Sequence, residues 1–150
     1  MGRRRLGREI ALQALYVADV ARLSGADAFA IVTRREDAEA DAETLAFAGE
    51  LALGTLEKVE ALDATIAERA ANWSMARMAA VDRNVLRLAA YELGARPDTP
   101  VGVIIDEAIE IVRKYSTEEA TRFVNGILDA LKKAREGAPP KKKNARKKEP

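Results

Sequence analysis

The arrangement of apolar residues over positions 81–133 constrains the fold more than any other feature of the sequence. These residues recur at spacings of three and four, which is the period of an α-helix that is buried on one side. Towards the carboxyl end the apolar stripe consists of Ala120, Phe123, Val124, Ile127 and Leu131. No stretch of the sequence shows the alternation of β-branched residues that is typical of strands. The sequence therefore predicts an all-α protein.

Two prolines mark helix boundaries in this segment. The residue before Pro97 is disfavoured in helical geometry, so a helix over about 80–95 should end there. Pro100 suits the first position of the next helix, because an N–H group has no partner at that position. Asp98 or Thr99 then provides its cap.

The start of the last helix has a chemical signal of its own. Ser116 and Glu119 have the spacing of a capping box, which predicts a helix over about 117–135. Gly126 lies in the middle of that helix, where a glycine is less favourable than alanine by about 1 kcal/mol. We therefore expect another helix to approach the backbone closely at this glycine.

The first half of the chain is less clearly divided. Gly25 suits the position just after a helix, and Asp27 can cap the helix that follows. Gly49 and Gly54 fall inside a long amphipathic stretch and weaken the prediction of an unbroken helix there. The expected elements are helices over about 4–23, 28–40 and 42–71, followed by a short turn at 75–78.

The residue inventory excludes most catalytic chemistry. The sequence holds no cysteine and no histidine, so it lacks a thiolate nucleophile, the commonest general base and the preferred ligands of zinc. Ser24, Ser74 and Ser116 have no histidine partner and are explained as helix terminators or caps. No glycine-rich phosphate loop occurs. We therefore expect neither enzymatic activity nor a bound cofactor or metal ion.

The sequence also indicates where the protein works. No apolar run approaches the roughly 20 residues that a membrane-spanning helix needs. The basic start leads into an amphipathic segment rather than the apolar core of a signal peptide. A soluble, cytoplasmic protein without membrane association is expected.

Charge is distributed unevenly along the chain. The net charge of +1 combines +4 in residues 1–8, −8 in residues 9–136 and +5 in residues 137–150. An acidic body with two basic ends is typical of a chain that meets a polyanion through its termini. The lysine-rich tail at 137–150 cannot bury apolar surface and should be disordered. An equally simple interpretation of the tail is that it aids solubility.

The arginines at the amino terminus are candidates for binding an anion. Arg3, Arg4 and Arg5 lie at the predicted start of a helix, where a cation is poorly matched to the helix dipole. A bound phosphate would neutralise them, and the guanidinium group suits bidentate phosphate contact.

A second basic group lies in the last third of the chain. Arg122 precedes Phe123, and Arg113 and Lys114 lie near the end of the preceding helix. Basic residues beside an aromatic ring are typical of surfaces that bind single-stranded RNA. Each has a structural alternative, because Arg113 and Lys114 also complement a helix carboxyl terminus, and the spacing of Phe123 favours a core position.

Three blocks of sequence together resemble the NusB transcription antitermination factor family. They are RRRLGREIALQALY near the amino terminus, VDRNVLRLAAYEL in the middle and IIDEAIEIVRKYSTEEATRFVNGILD near the end. The resemblance covers most of residues 3–133. It implies two packed three-helix bundles, with about six to seven helices, in a single RNA-binding helical domain over residues 1–136. The tail after this domain is not part of the family core.

The resemblance also implies a function. NusB-like proteins bind the single-stranded boxA element of ribosomal RNA leader transcripts. They do so as a heterodimer with the small-subunit ribosomal protein NusE, and the complex helps RNA polymerase read through terminators. Some members of the family self-associate through the same face, so the sequence does not decide whether this chain forms a homodimer.

Matching positions imply roles for individual residues. Tyr16 and Asp82 correspond to the NusE-facing surface, although Arg83 is more basic than that surface would suggest. For Phe123 the resemblance favours RNA contact over the core. The implied RNA-binding residues are Arg3, Arg4, Arg5 and Arg8 in the first helix and Lys114, Glu119, Arg122 and Phe123 in the second bundle.

Two other functions stay open at the level of sequence. The chain could be a helical adaptor that binds only proteins, with basic ends that have no specific role. It could also be a stand-alone relative of the NusB-like accessory domain found in some RNA cytosine methyltransferases. The chain itself has neither a cysteine nucleophile nor a cofactor loop for that chemistry.

Overall fold

A computed structural model of the chain describes residues 2–34, 40–71 and 73–136. Over these residues the chain forms helices and connecting turns without any strand, which confirms the all-α prediction. A short 3₁₀ turn at Met75–Arg77 precedes the last three helices. The seven α-helices in the described ranges are α1 (Arg3–Ala21), α2 (Gly25–Thr33), α3 (Ala42–Glu57), α4 (Val59–Ala67), α5 (Ala80–Ala95), α6 (Val101–Tyr115) and α7 (Glu118–Glu136).

The helices pack as two bundles, each around its own apolar core. In the first bundle α1 packs against α2 and α3, and its core holds the fully buried Leu15 and Leu51. In the second bundle α6 packs against α5 and α7 around Leu86, Ile104 and Leu128. Helices α1 and α5 pack against each other and join the two bundles. The predicted pair of three-helix bundles is confirmed, with α4 as an additional short helix on α5.

The prediction of one helix over 42–71 is wrong, because the chain breaks at Lys58. This residue leaves helical geometry, with φ −109° and ψ 18°, and separates α3 from α4. The break does not lie at either glycine of α3. Gly54 instead lies under Tyr91, and a Cβ atom at position 54 would overlap the Tyr91 hydroxyl group. Packing between α3 and α5 therefore explains this glycine.

Several predicted caps also differ from the structure. The first helix ends in Arg22, which adopts the left-handed conformation with φ 58°, whereas Gly25 is already the first residue of α2. Ser24, not Asp27, caps α2 by accepting a hydrogen bond of 3.1 Å from the Asp27 backbone N–H. Thr117 rather than Ser116 caps α7, and its hydroxyl accepts from the Ala120 N–H at 3.0 Å.

Helix α6 begins without a side-chain cap. Pro100 occupies the capping position, so neither Asp98 nor Thr99 has the predicted role. Helix α2 is shorter than the predicted 28–40, and part of that range falls on residues 35–39, outside the described residues. The predicted disorder of the tail likewise concerns residues 137–150, which the structure does not describe. In the described ranges, none of the helices has the length and apolar character required to cross a membrane.

Candidate nucleic-acid interface

The arginines at the start of α1 are largely engaged in ion pairs. Arg3 donates to Asp41 at 2.7 Å and lies near Glu43 at 3.4 Å. Arg5 binds both carboxylate oxygens of Glu107 in α6, at 2.9 Å and 2.8 Å. Its hydrogen bonds hold the pKa of Glu107 below the usual range. Carboxylates of the chain itself therefore neutralise Arg3 and Arg5, whereas the sequence predicted that a bound phosphate would do so.

Arg4 and Arg8 flank the aromatic ring of Phe47. The Arg4 guanidinium carbon lies 4.1 Å from the ring centroid, and the Arg4 side chain faces solvent. Arg8 is only 5% exposed and binds both oxygens of Glu92 at 2.7 Å and 2.8 Å. A guanidinium in this position has no accessible face for a phosphate, so the prediction that Arg8 contacts RNA disagrees with its burial. Arg8 instead ties α1 to α5 across the two bundles.

Lys114 is also engaged with a buried partner. Its ammonium group donates to Glu9 at 2.9 Å, and the Tyr115 hydroxyl donates to the same oxygen at 3.0 Å. The hydrogen bond to Glu9 raises the pKa of Lys114 above its ordinary value. Lys114 keeps about half of its side chain in solvent, at 48% exposure. The Lys114 ammonium group can therefore bind an anion only if it keeps its hydrogen bond to Glu9 at the same time.

The groove between α6 and α7 has two weakly restrained arginines. Arg113 and Arg122 line it from opposite sides, and their side chains are 63% and 71% exposed. Among the residues that the structure describes, each is paired only along its own helix, Arg113 with Glu110 at 2.8 Å and Arg122 with Glu118 at 3.6 Å. Exposed pairs of this kind contribute little and are easily exchanged for a phosphate. The groove encloses about 470 Å³.

Gly126 lies beyond this groove on the exposed side of α7. A Cβ atom built at Gly126 would have no neighbour within 4 Å, so the expected close approach by another helix is wrong. The glycine leaves the helix surface bare beside Asn125, which lines the groove. Within the described chain, nothing in the packing explains this glycine.

Phe123 lies on the other side of α7 from Arg122, in a second pocket. Its ring meets Trp73 edge to face, with centroids 5.8 Å apart and an interplanar angle of 61°. Phe123 is partly buried against the core of the second bundle, whereas Trp73 is 49% exposed. Asp82 and Glu119 line the same pocket of about 470 Å³. Thus Phe123 contributes to the core and still presents part of its ring to the surface.

The two residues predicted to face a protein partner lie in different places. Tyr16 is 41% exposed and lines an apolar groove of about 310 Å³ with Val17, Val32, Val81 and other residues. Asp82 is only 6% exposed and faces the pocket of Phe123. The structure therefore groups Asp82 with the predicted RNA-binding residues rather than with Tyr16.

The unexpected basic residue Arg83 is neutralised within the protein. It donates to Asp19 at 2.9 Å and to the carbonyl oxygens of Met75 and Met78. Burial alone would raise the pKa of Asp19, but hydrogen bonds from Arg83 and Asn84 hold it below the usual value. Arg83 therefore anchors the turn before α5 and adds no free cation to the partner surface.

Sequence reasoning missed several residues that build these surfaces. Trp73 lies between the predicted helix over 42–71 and the predicted turn at 75–78 and was assigned no role, although it is the single tryptophan of the chain and forms a pocket wall. Nothing in the sequence marked Glu92 and Glu107 as partners of arginines, because Arg8 and Arg5 lie far from them along the chain. Gly7 allows the close approach of Phe47, since a Cβ atom there would lie 2.6 Å from the Phe47 ring, but a glycine in a sequence does not indicate which residue approaches it.

Comparison of the sequence with known proteins points to one family. The sequence model of the NusB family matches residues 5–133. A protein of Elusimicrobium minutum, named transcription antitermination protein NusB, is 48% identical over 138 residues, covering 90% of this chain and 96% of its own. A protein of the same name from Geotalea daltonii is 44% identical over 137 residues, covering 87% and 94%.

Solved structures agree with the sequence comparison. The structure of T. maritima NusB matches with a TM-score of 0.80 at 38% identity, covering 93% of this chain and 95% of that one. A crystal structure of the antitermination factors NusB and NusE in complex with dsRNA matches with a TM-score of 0.81 at 29% identity. That match covers 88% of this chain and 97% of the other.

Proposed function

Since the chain belongs to the NusB family, we propose that it binds boxA-type single-stranded RNA together with the small-subunit ribosomal protein NusE. In this role it acts in the cytoplasm and promotes processive transcription by RNA polymerase. Relatives matched over 96% and 94% of their length are named for antitermination, not for a reaction. The chain is accordingly a binding protein rather than an enzyme, and an accessory methyltransferase domain is disfavoured.

The observation that carries the RNA part of the proposal is the exposure of Arg113 and Arg122 in the groove between α6 and α7, with Phe123 in a second pocket on the other side of α7. These guanidinium groups have only weak partners along their own helices. Exposed arginines suit phosphate contact, and a partly exposed ring offers a surface for a base. Helix α6 also reaches the amino-terminal arginines, because Glu107 binds Arg5. A strand that follows α6 could thus meet both basic groups.

The predicted RNA-binding residues divide into three groups on this surface. Arg8 is a positioning residue, because it is buried against Glu92. Lys114 has a competing internal partner, and Glu119 lines the pocket of Phe123. The residues proposed to contact RNA directly are Arg3, Arg4, Arg5, Arg113, Arg122 and Phe123.

For NusE, the apolar groove around Tyr16 is the favoured surface. The exposed apolar side chains Val20 and Ile31 lie on the same bundle, on α1 and α2. Aromatic residues amid apolar surface are typical of protein interfaces. A match to a structure that holds NusB and NusE with dsRNA supports both partners. A second copy of the chain would compete for the same groove, which keeps the homodimer as an alternative.

A gel-shift experiment tests the RNA part. We expect a boxA-like RNA to bind more tightly than a scrambled RNA of equal length, and NusE to strengthen the difference. The double variant Arg113→Ala with Arg122→Ala should weaken binding. Lys133→Ala is the matched control, because Lys133 is an exposed cation of α7 paired along its helix with Asp129. Equal binding of both RNAs would favour a purely protein-binding adaptor instead.

A pull-down with NusE tests the partner surface. Tyr16→Ala should weaken NusE capture, whereas Val103→Ala, which alters a similarly exposed apolar residue on α6, should not. Asp82→Lys is a poor probe of the interface, because a lysine at this buried position would disturb the fold. Unchanged capture by Tyr16→Ala would move the NusE surface elsewhere.

A further inference from the structure

One carboxylate oxygen of Asp82 is buried and has no hydrogen-bond partner among the described residues. The residue is only 6% exposed, and its Oδ1 atom is shielded from solvent without any hydrogen bond. No donor within the described residues reaches this carboxylate. Burial of an unpaired charged group is unfavourable, and nearly all buried polar atoms in folded proteins have a partner. A donor to this oxygen must therefore come from outside the described residues.

The position of Asp82 in its helix does not remove this need. Asp82 lies in the first turn of α5, where a negative charge is favoured by the helix dipole. The capping residue Ala79 provides no side-chain cap, and the Oδ1 atom of Asp82 accepts no hydrogen bond from a backbone N–H group of that turn. The dipole thus helps to hold the charge but leaves the oxygen without a donor.

The pocket in front of Asp82 has the walls of a site for a flat ring. Trp73 and Phe123 form an edge-to-face pair on one side, and half of the Trp73 surface is open. Aromatic side chains of this kind stack with nucleobases. The pocket encloses about 470 Å³, which is enough for one base.

Charge selects the kind of group that can enter. Asp82 and Glu119 both line the pocket, so an unshielded phosphate would be repelled from its interior. Arg77 lies in the same pocket, so an arginine or lysine of a protein partner would meet a like charge. A neutral group with hydrogen-bond donors avoids both conflicts, and Arg77 is free to meet the phosphate of the same nucleotide.

We propose that this pocket, lined by Trp73, Asp82, Glu119 and Phe123, binds a guanine base of the bound RNA. Guanine presents two adjacent donors on its Watson–Crick edge, the N1–H and the N2 amino group, which match the two oxygens of a carboxylate. Uracil presents a single N–H between two carbonyl oxygens, which would face the carboxylate unfavourably. The proposal rests on the RNA-binding function and adds a base preference and Asp82 as the residue that determines it.

The single tryptophan makes the pocket observable. Trp73 is the only tryptophan in the sequence, so its fluorescence reports this pocket alone. The probes are three heptaribonucleotides, each seven residues long by design: all uridine, uridine with one central guanosine, and uridine with one central inosine. Inosine differs from guanosine only by the missing 2-amino group.

For the unaltered protein we expect the guanosine oligomer to quench Trp73 and to bind on the order of tenfold more tightly than the all-uridine oligomer. The inosine oligomer should fall between them. Asp82→Asn should remove the preference for guanosine while the weak binding of the all-uridine oligomer persists. Equal affinity and equal quenching by all three oligomers would overturn the proposal. The inosine comparison needs no substitution, so it decides even if the variant is unstable.

The outcomes separate this pocket from the wider function. If all oligomers bind alike and Arg113→Ala with Arg122→Ala weakens them all, the RNA surface stands and the guanine pocket fails. If no oligomer and no boxA-like RNA binds, with or without NusE, both proposals fail. A short arginine-containing peptide that quenches Trp73 in an Asp82-dependent manner, with no effect of guanosine, would instead assign the pocket to a protein partner.

Discussion

The arginines at the start of α1 and those on the α6–α7 face are the same residue type in opposite situations. Arg5 and Arg8 are each held by both oxygens of a glutamate on another helix. Arg113 and Arg122 are mostly exposed, and their glutamate partners lie one turn away on their own helices. The first pair therefore stabilises the fold, whereas the second pair has donors available for a ligand.

This difference shows that a run of basic residues does not by itself define an RNA-binding surface. The amino-terminal run is the denser of the two in sequence, yet most of its charge is compensated within the protein. Binding RNA through these residues would require exchange of an existing ion pair for a phosphate contact. The α6–α7 face requires a smaller rearrangement, so we expect it to contribute more to RNA affinity.

Removal of Arg8 should have the largest effect in the molecule. Arg8→Ala leaves Glu92 buried without its partner, and loss of one member of such a pair costs about 3–5 kcal/mol. Glu92 is only 1% exposed, so water cannot replace the guanidinium. Urea unfolding followed by circular dichroism measures the loss.

The matched control replaces the pair as a unit. Arg8→Met with Glu92→Leu removes both charges and fills the space with apolar side chains, which is often neutral for stability. We expect the double variant to be clearly more stable than Arg8→Ala. An Arg8→Ala variant that unfolds at the wild-type urea concentration would place Arg8 outside the core and restore it as a candidate RNA contact.

The same two regions, α1 and α7, can also be compared through one glycine in each. Gly7 lies beside Arg8 in α1, and an added methyl group there would lie 2.6 Å from the Phe47 ring. Gly7→Ala should therefore destabilise the protein by about 1–3 kcal/mol through overpacking. Gly126 on α7 has open space instead, so Gly126→Ala should stabilise the helix by up to about 1 kcal/mol. Unfolding midpoints of both variants provide the test, and shifts of the same sign would contradict it.

The regular features of the fold followed from the sequence because they depend on local signals. Helix α5 was predicted over 80–95 and has these bounds, since Pro97 and the apolar period mark it. The break between α3 and α4 was missed, because it lies at Lys58 and not at a proline or glycine. Caps were harder still, since neighbouring residues such as Ser116 and Thr117 can perform the same chemistry and packing decides between them.

The site was only partly predictable, for a different physical reason. Arg122 could be identified as a candidate because it is a basic residue next to Phe123, and its side chain is exposed. The fate of Arg8 depends on Glu92, 84 positions away, and a single sequence does not reveal that pairing. Asp82 was assigned by resemblance to the partner surface, but its burial beside Phe123 arises from the packing of α5 against α7.

Salt dependence of RNA binding separates the two arginine groups. Each phosphate contact on a single strand changes the slope of log affinity against log salt by about 0.7. We expect Arg113→Ala with Arg122→Ala to make the slope shallower by about 1.4 if both residues bind phosphate. Arg4→Ala with Arg5→Ala should change it less, because Arg5 remains attracted to Glu107. A larger change from the Arg4 and Arg5 variant would reverse the order proposed for the two groups.

The smallest expected effect concerns Arg3 and its partner Asp41. The pKa of Asp41 is lowered to about 2, mainly by the backbone hydrogen bond from Thr44 at the start of α3 and to a lesser degree by Arg3. The folded pKa lies below the unfolded value of about 4, so the unfolded state binds more protons between these two pH values. Stability from this group is therefore complete above about pH 4 and is lost as the pH falls towards 2.

Urea unfolding at several pH values should show that Asp41→Asn is less stable than the wild type at neutral pH, with a difference that shrinks below pH 4. Arg3→Ala should keep most of this pH dependence, because the Thr44 hydrogen bond remains. If Arg3→Ala removed as much of it as Asp41→Asn does, the exposed ion pair and not the helix cap would hold the carboxylate, and Arg3 would be as firmly committed to the fold as Arg5.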